Sequence, residues 1–300
     1  MSDLYKIIII YTFAVIIGFL LSNSFIKYEL SYVLIWSAAA WATAVLLEYG
    51  LVNFGIAMYY ALGAYAVALL YKYWGVTDFA LGISASALAG AAWGLVVGYA
   101  LGSLRGIYYS LANLSLSMVI YGVLVKFYDV TGGSNGLYVP RPQELSYTFN
   151  GDALYWVAAT VAGALLAAMY RFQSSDMGRV AEGIRLNELR VRSLGASPRL
   201  HITAATAAAG AVAAVGGALM AYLTNIVTPD YSYWTASGEM VVAALIGLLA
   251  SRRYGFLIGS AFYQIVRLWS YQFTSPELVI GLALLSALAV WRRRYSRLAA

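Results

Sequence analysis

Apolar residues run through this chain in long blocks, and polar residues gather in the short gaps between them. A helix needs about 20 apolar residues to cross the roughly 30 Å hydrocarbon core of a bilayer. Blocks of that order lie near 5–25, 30–47, 53–73, 79–103, 107–127, 153–170, 202–225, 237–250, 254–272 and 276–291. The pattern predicts an all-α integral membrane protein, a polytopic bundle of about ten transmembrane helices. Two blocks are irregular: 237–250 is short, and glycines interrupt 53–73. Both are open to a partly re-entrant course, which is tolerated only where protein or a water-filled cavity satisfies the backbone. The first block stands where a signal peptide would, but its basic start is Lys6 alone and its apolar run is long, so a retained helix is expected. No repeat or low-complexity linker divides the chain, and 1–300 is expected to form a single transmembrane domain.

Composition strengthens the membrane reading. Hydrophobic residues make up 62% of the chain and charged residues 11%, against about 25% charged in soluble domains. Cysteine is absent, which excludes disulfides and thiolate metal sites. The net charge of +6 marks cytoplasmic loops rather than a nucleic-acid surface. With the N-terminus inside and the spans alternating, all 19 cations except Lys27, Lys72, Lys126, Arg141 and Arg267 fall on the cytoplasmic side, as the positive-inside rule requires. Both termini are then cytoplasmic. Of the two long connections, 171–201 is cytoplasmic and 128–152 external.

Gly90, Gly94, Gly98 and Gly102 recur every four residues in 79–103, with Gly82 and Ser86 extending the row. That spacing makes a smooth helix face that another backbone can approach closely. In 171–201, Ser175 or Asp176 is placed to cap a helix that Gly195 and Pro198 close. Val180, Ile184, Leu189 and Val191 give it an apolar side, and Glu188 and Arg192 are spaced for an ion pair. Composition leaves open whether this amphipathic helix rests on the membrane or docks in a partner's groove. Chemistry is sparse. His201 has no second histidine, and no phosphate-binding loop of the G-x-x-x-x-G-K-[ST] type occurs. No catalytic or metal constellation stands out, so neither an enzyme nor a cofactor is expected. Glu239, at the outer end of a span, reads either as an interfacial carboxylate or as a partner for a solute ammonium group. Thr131–Leu137, TGGSNGL, reads either as an ordinary turn or as a loop offering backbone and side-chain hydrogen bonds.

Four ordered stretches resemble the permease subunits of branched-chain amino-acid ABC importers. Residues 50–65 are similar to that family's G-L-x-N-F-G-[HQ]-x-x-[FY]-x-x-[GI]-G-A-Y, through Gly50, Asn53, Phe54, Gly55, Gly63, Ala64 and Tyr65, with Ile56 in place of His or Gln. Residues 104–118 resemble its L-R-G segment, with Asn113 where threonine is usual. Thr131–Leu137 match T-G-G-[SP]-[ND]-G-[LI] in full. Residues 178–195 resemble its coupling loop through Gly178, Arg179, Ile184, Arg185, Asn187, Glu188, Leu194 and Gly195, with Gly183 and Val191 where the family has alanine. A looser match covers 228–262 through Pro229, Ser237, Glu239, Gly247, Ser251, Gly255 and Gly259.

The resemblance implies a permease subunit of an ATP-driven importer for branched-chain amino acids or similar small polar solutes. It implies a second permease (related or identical), two cytoplasmic ATPases and an extracytoplasmic solute-binding protein as partners, all at the cell membrane with its lipid. Gly178, Arg179, Arg185, Asn187, Glu188 and Gly195 are implied to couple to the ATPases. Asn53, Phe54, Gly55, Gly63, Thr131, Gly132, Gly133, Ser134, Asn135, Gly136 and Glu239 are implied to border the translocation path. The rival class is a channel or secondary carrier for a small neutral solute such as urea or an amide.

Overall fold

The computed structural model describes residues 2–21, 23–145 and 147–270, together with 281, 282 and 286. The expected span 276–291 and the arginines at 292–297 lie almost wholly outside the described residues.

Each of the first nine apolar blocks becomes one helix: α1 (Ser2–Leu21), α2 (Ser24–Glu48), α3 (Ile56–Trp74), α4 (Phe79–Leu101), α5 (Gly106–Lys126), α7 (Gly151–Ser174), α9 (Pro198–Thr224), α10 (Trp234–Ala250) and α11 (Gly255–Ser270). Among the described residues, a single turn, α6 (Tyr128–Thr131), and the arginine-rich helix α8 (Asp176–Ser193) complete the set. Five of these, α2, α4, α5, α7 and α9, are long and apolar enough to cross a bilayer by length and composition. Polar punctuation sets the boundaries. Asn23, Asp78 and Asn150 each accept a backbone N–H at the start of α2, α4 and α7. Outward-facing Ile9, Phe13, Leu81, Leu88 and Val119 are each more than half exposed. That would be a liability in water and is the ordinary surface of a helix in lipid.

Helix α9 is the pillar. Its run of alanine and glycine lets α2, α3 and α4 close around it. A Cβ at Gly63 on α3 would lie 1.9 Å from the Ala214 carbonyl oxygen, and one at Gly217 1.9 Å from that of Tyr60. The glycine row of α4 packs on the same pillar: a Cβ at Gly90 would lie 2.3 Å from Gly210 O, and one at Gly94 2.7 Å from the Ala207 Cα. Close backbone approach, the expectation for that row, is what the fold uses. Ser86 fits the same seam by donating to the Gly63 carbonyl at 2.9 Å. Helices α10 and α11 form a hairpin sealed at Gly247 and Gly255, whose added Cβ atoms would lie 2.0 and 2.2 Å from each other's carbonyl oxygen. Helix α1 joins through α7, where Tyr11 Oη donates to Ala159 O (2.6 Å) and Tyr155 Oη to Val15 O (2.8 Å).

Two breaks meet inside the bundle. The block expected at 53–73 opens with a buried, non-helical connector, Leu51–Gly55, before α3 begins. A 3-10 turn, Pro229–Ser232, precedes α10. Helix α5 satisfies both: Ser110 Oγ donates to Val52 O (2.7 Å) and Ser117 Oγ to Ser232 O (2.8 Å). Ser117 lies about 16 Å along α5 at 1.5 Å per residue, near the middle of this 21-residue helix. Ala57 N–H then donates to Ser237 Oγ at 3.1 Å, joining the first turns of α3 and α10. Irregular backbone at that depth is covered by protein, as the bilayer demands.

Candidate functional site

The arginine-rich connection folds as α8, with Ser175 as its N-cap accepting from Gly178 N–H. A Cβ on Gly178 would lie 2.3 Å from Phe172 O, so glycine is what lets α8 turn tightly off the end of α7. The helix expected as one piece is broken. Asn187 has φ −159° and ψ 97°, and its Oδ1 accepts from Arg190 N–H at 3.1 Å. Asn187 therefore caps a second short helix, because an Asn side chain competes well for backbone donors. Gly195, at φ +88°, then ends the element.

Glu188 stands just beyond the break. Arg105, in the link between α4 and α5, donates to both of its oxygens (Nε–Oε2 2.7 Å, Nη2–Oε1 3.0 Å). Arg192 donates to Oε1 at 2.6 Å, the expected i,i+4 pair. The Arg105 hydrogen bonds, more than those of Arg192, hold the Glu188 carboxyl below the usual carboxylate range. Arg185 pairs with Glu182 at 3.4 Å, and its Cγ would lie 3.0 Å from a Cβ on Gly50. Arg179 pairs with Asp176 on the exposed side.

The apolar residues of α8 divide in two. Ala181, Ile184 and Val191 are buried against the chain, whereas Leu186, Leu189 and Leu194 are 75–80% exposed. Leu189, expected with the buried set, lies with the exposed one, because the break at Asn187 rotates the second piece. An apolar groove of about 370 Å³ runs between the pieces, bordered by Val180, Leu186, Val191 and Leu194 and rimmed by Arg179 and Arg190.

On the opposite side, Thr131–Leu137 forms a tight knot. Thr131 is buried; its Oγ1 donates toward Leu124 O (2.5 Å) and Phe127 O (2.8 Å) and accepts from Gly133 N–H. Gly136, at φ +73°, could not carry a Cβ without placing it 2.1 Å from Val227 O. The strand that follows, β1 (Leu137–Tyr138), pairs antiparallel with β4 (Ile226–Val227), while β2 (Gln143–Glu144) pairs with β3 (Tyr147–Thr148). Gly132 and Gly133 share the left-handed backbone. Of the seven residues TGGSNGL, only Ser134 and Asn135 are exposed; the others are buried or half-buried.

The other path candidates lie inside. Asn53 is buried and caps the connector, its Oδ1 accepting from Gly55 N–H at 2.7 Å. Gly55 abuts α5, where a Cβ would lie 2.3 Å from Asn113 O. Phe54 is half-buried between them. Gly63 serves the α3–α9 contact. Glu239 is half-buried on α10 and interacts with the Tyr263 hydroxyl, and that ring stacks on Trp36 at 5.8 Å. The structure thus places Asn53, Phe54 and Gly55 in the connector before α3, apart from the knot at 131–137.

Sequence reasoning passed over a third cluster. Glu48, at the end of α2, is 6% exposed. It accepts from the Arg252 guanidinium, in the α10–α11 turn, and from Gln173 Nε2 on α7 at 2.8 Å. The same Gln173 nitrogen donates to Arg252 O at 2.8 Å. Hydrogen bonding to Glu48 raises the Arg252 guanidinium above its usual value. One acid closing an apolar run at Glu48 was the available signal.

The profile of the family described as branched-chain amino acid transport system, permease component, matches residues 7–290. The high-affinity branched-chain amino acid transport system permease protein LivM of Escherichia coli (strain K12) is 26% identical over 269 residues, covering 81% of this chain and 63% of that protein. The protein of the same description from Salmonella typhimurium (strain LT2) gives the same identity and coverage. This chain therefore spans under two-thirds of the length of the curated relatives it matches. No solved structure gives a significant match. A multi-pass helical membrane protein carrying these motifs in this order, matched by that profile over nearly its whole length, belongs to the permease-component family of branched-chain amino acid transport systems.

Proposed function

We propose that this chain is a membrane-spanning permease of an ATP-driven importer for branched-chain amino acids or similar small polar solutes. It works beside a second permease, a related chain or its own copy. Two cytoplasmic ATPases grip α8, and an external solute-binding protein meets the side that carries Ser134 and Asn135. The chain itself does no bond chemistry. ATP binding shifts an equilibrium between inward- and outward-open states, which requires the ATPases to contact the two states differently.

The observation that carries this reading is the build of α8. Its second piece is fixed to the α4–α5 link through Glu188 and Arg105, while Leu186, Leu189 and Leu194 stand free. A helix fastened to membrane connections on one side and apolar on the other transmits the motion of whatever holds its free side. The test is purification of the permease with its ATPase and binding protein, followed by reconstitution and measurement of leucine uptake. ATP-dependent uptake is expected, and L186A/L189A is expected to release the ATPase. Solute flux through the permease alone, with no ATPase retained, would replace the importer by the channel or carrier. Sidedness is tested by an impermeant thiol reagent on intact cells, since the native chain has no cysteine. N135C is expected to label from outside and N187C not; the reverse pattern would invert the topology.

A further inference from the structure

Glu48 joins four separate parts of the chain. Its carboxylate receives Arg252 from the α10–α11 turn and Gln173 from the end of α7, while it ends α2 itself. Arg252 Nη1 also approaches Glu182 Oε1 on α8 at 3.7 Å. The Glu48 side chain is 7% exposed, against 50% for Arg252 and 47% for Glu182. The acid is thus the fixed post, and Glu182 of α8 lies at its rim.

Two residues beyond Glu48, Gly50 turns the chain with φ +76° beneath the stem of Arg185. The buried connector Leu51–Gly55 follows immediately. A displacement of α8 therefore reaches that connector by two short routes, through Arg185 on Gly50 and through Glu182, Arg252 and Glu48. A third route arrives from the opposite side, from Glu188 through Arg105 to α5, which holds the connector by Ser110 on Val52 and by Asn113 against Gly55. The break at Asn187 separates the piece of α8 serving the first two routes from the piece serving the third.

We propose that Glu48 and Arg252 are positioning residues for energy coupling: they form a latch through which α8 moves the buried connector Leu51–Gly55 relative to α5. This rests on the importer reading above. The Glu48 carboxylate is buried while the Arg252 guanidinium is half-exposed, so withdrawing the guanidinium leaves the buried acid uncompensated and the acid holds its partner firmly. The latch therefore keeps Arg252 on Glu48, and its link to α8 runs through the half-exposed Glu182. Its contribution lies in transmitting motion, since neither side chain faces the free leucines that a partner would grip.

Two measurements test it. In the reconstituted complex, E48Q and R252Q are expected to retain the ATPase at wild-type stoichiometry. Solute imported per ATP hydrolysed is expected to fall about fivefold or more, the low end of ordinary coupling between sites. The double variant E48Q/R252Q is expected to be no worse than either single, because both remove the same link. A wild-type transport ratio in both singles, or losses that multiply in the double, overturns the latch. If E48Q fails to assemble, R252K keeps the charge but loses the fork, and the same fall or its absence decides. The second measurement needs no ATPase. In detergent-solubilised permease, L51C is buried in the connector, and adding E48Q is expected to speed its labelling by a thiol reagent about fivefold, again on the ordinary coupling scale. Unchanged labelling overturns the link from latch to connector even if ATP-driven uptake stands. Faster labelling without ATP-driven uptake keeps the latch and removes the importer reading.

Discussion

The helix α8 and the knot at 131–137 are both short polar segments wedged between spans, yet they keep their shapes by opposite means. The first is held by side chains: Glu188 on Arg105, Glu182 toward Arg252, Asn187 capping the second piece. The second is held by backbone, with three glycines in the left-handed region and Thr131 returning to the end of α5. Charged side-chain contacts exchange partners readily, whereas a backbone packed at 2 Å tolerance does not. A segment that must move is better built the first way, and one that must present fixed groups the second.

The largest expected effect lies in the knot. G136A forces a Cβ to within 2.1 Å of Val227 O at φ +73°; a strained residue of this kind costs about 1–3 kcal/mol before the clash is counted. Loss of folded yield and a lower unfolding temperature are expected, and wild-type stability would show that the knot is not backbone-limited. E188A comes next. It strips the α4–α5 link of a two-pronged partner, for a loss of about 1–2 kcal/mol and a release of α8 that hydrogen exchange can follow. The same contrast separates the two segments by pH. The Glu188 carboxyl is depressed in the folded state, so its contribution is complete above the unfolded value of about 4.3 and fades as pH falls through the folded one. Protection of α8 is expected to fall below about pH 4 while that of 132–136 does not; equal loss in both would end the distinction.

S134A/N135A is expected to change stability by less than about 0.5 kcal/mol, as exposed substitutions do, while lowering uptake if these groups meet the solute or its carrier protein. Unchanged uptake would leave the knot purely structural. The smallest effect belongs to G183A. Its Cβ would meet Val191 Cγ2 at 3.0 Å, and a shift of a few tenths of a kcal/mol, well within the usual range for mild substitutions, is expected in thermal denaturation. A loss several times larger would mean that the two pieces of α8 cannot adjust.

Much of this was legible from the order of residues. Nine helices follow apolar blocks whose ends are written in Asn, Asp and Gly, and the α4 glycine row foretold a close backbone contact. The row did not name its partner, because close packing depends on which helix is equally smooth, and the alanine-rich 202–225 looked like any other span. The break at Asn187 was hidden by good helical spacing on either side of it. Local competition by one carboxamide decided it, and Leu189 changed faces as a result. The Arg105–Glu188 and Glu48–Arg252 pairs join residues 83 and 204 positions apart, a separation that periodicity cannot report. The glycines of TGGSNGL were visible as unusual, but their left-handed geometry required the fold.

Gly183 and Val191 carry one more implication. The resemblance implies alanine at both positions in related permeases, and here one side chain is smaller than alanine while its facing neighbour is larger. The two pieces of α8 meet at that pair, so the methyl missing at Gly183 offsets part of the bulk added at Val191. Valine at 191 facing alanine at 183 is crowded, whereas glycine facing alanine merely leaves a small gap. Changing either residue alone should therefore be felt in opposite senses: G183A crowds the spacing between the two short helices, whereas V191A opens it.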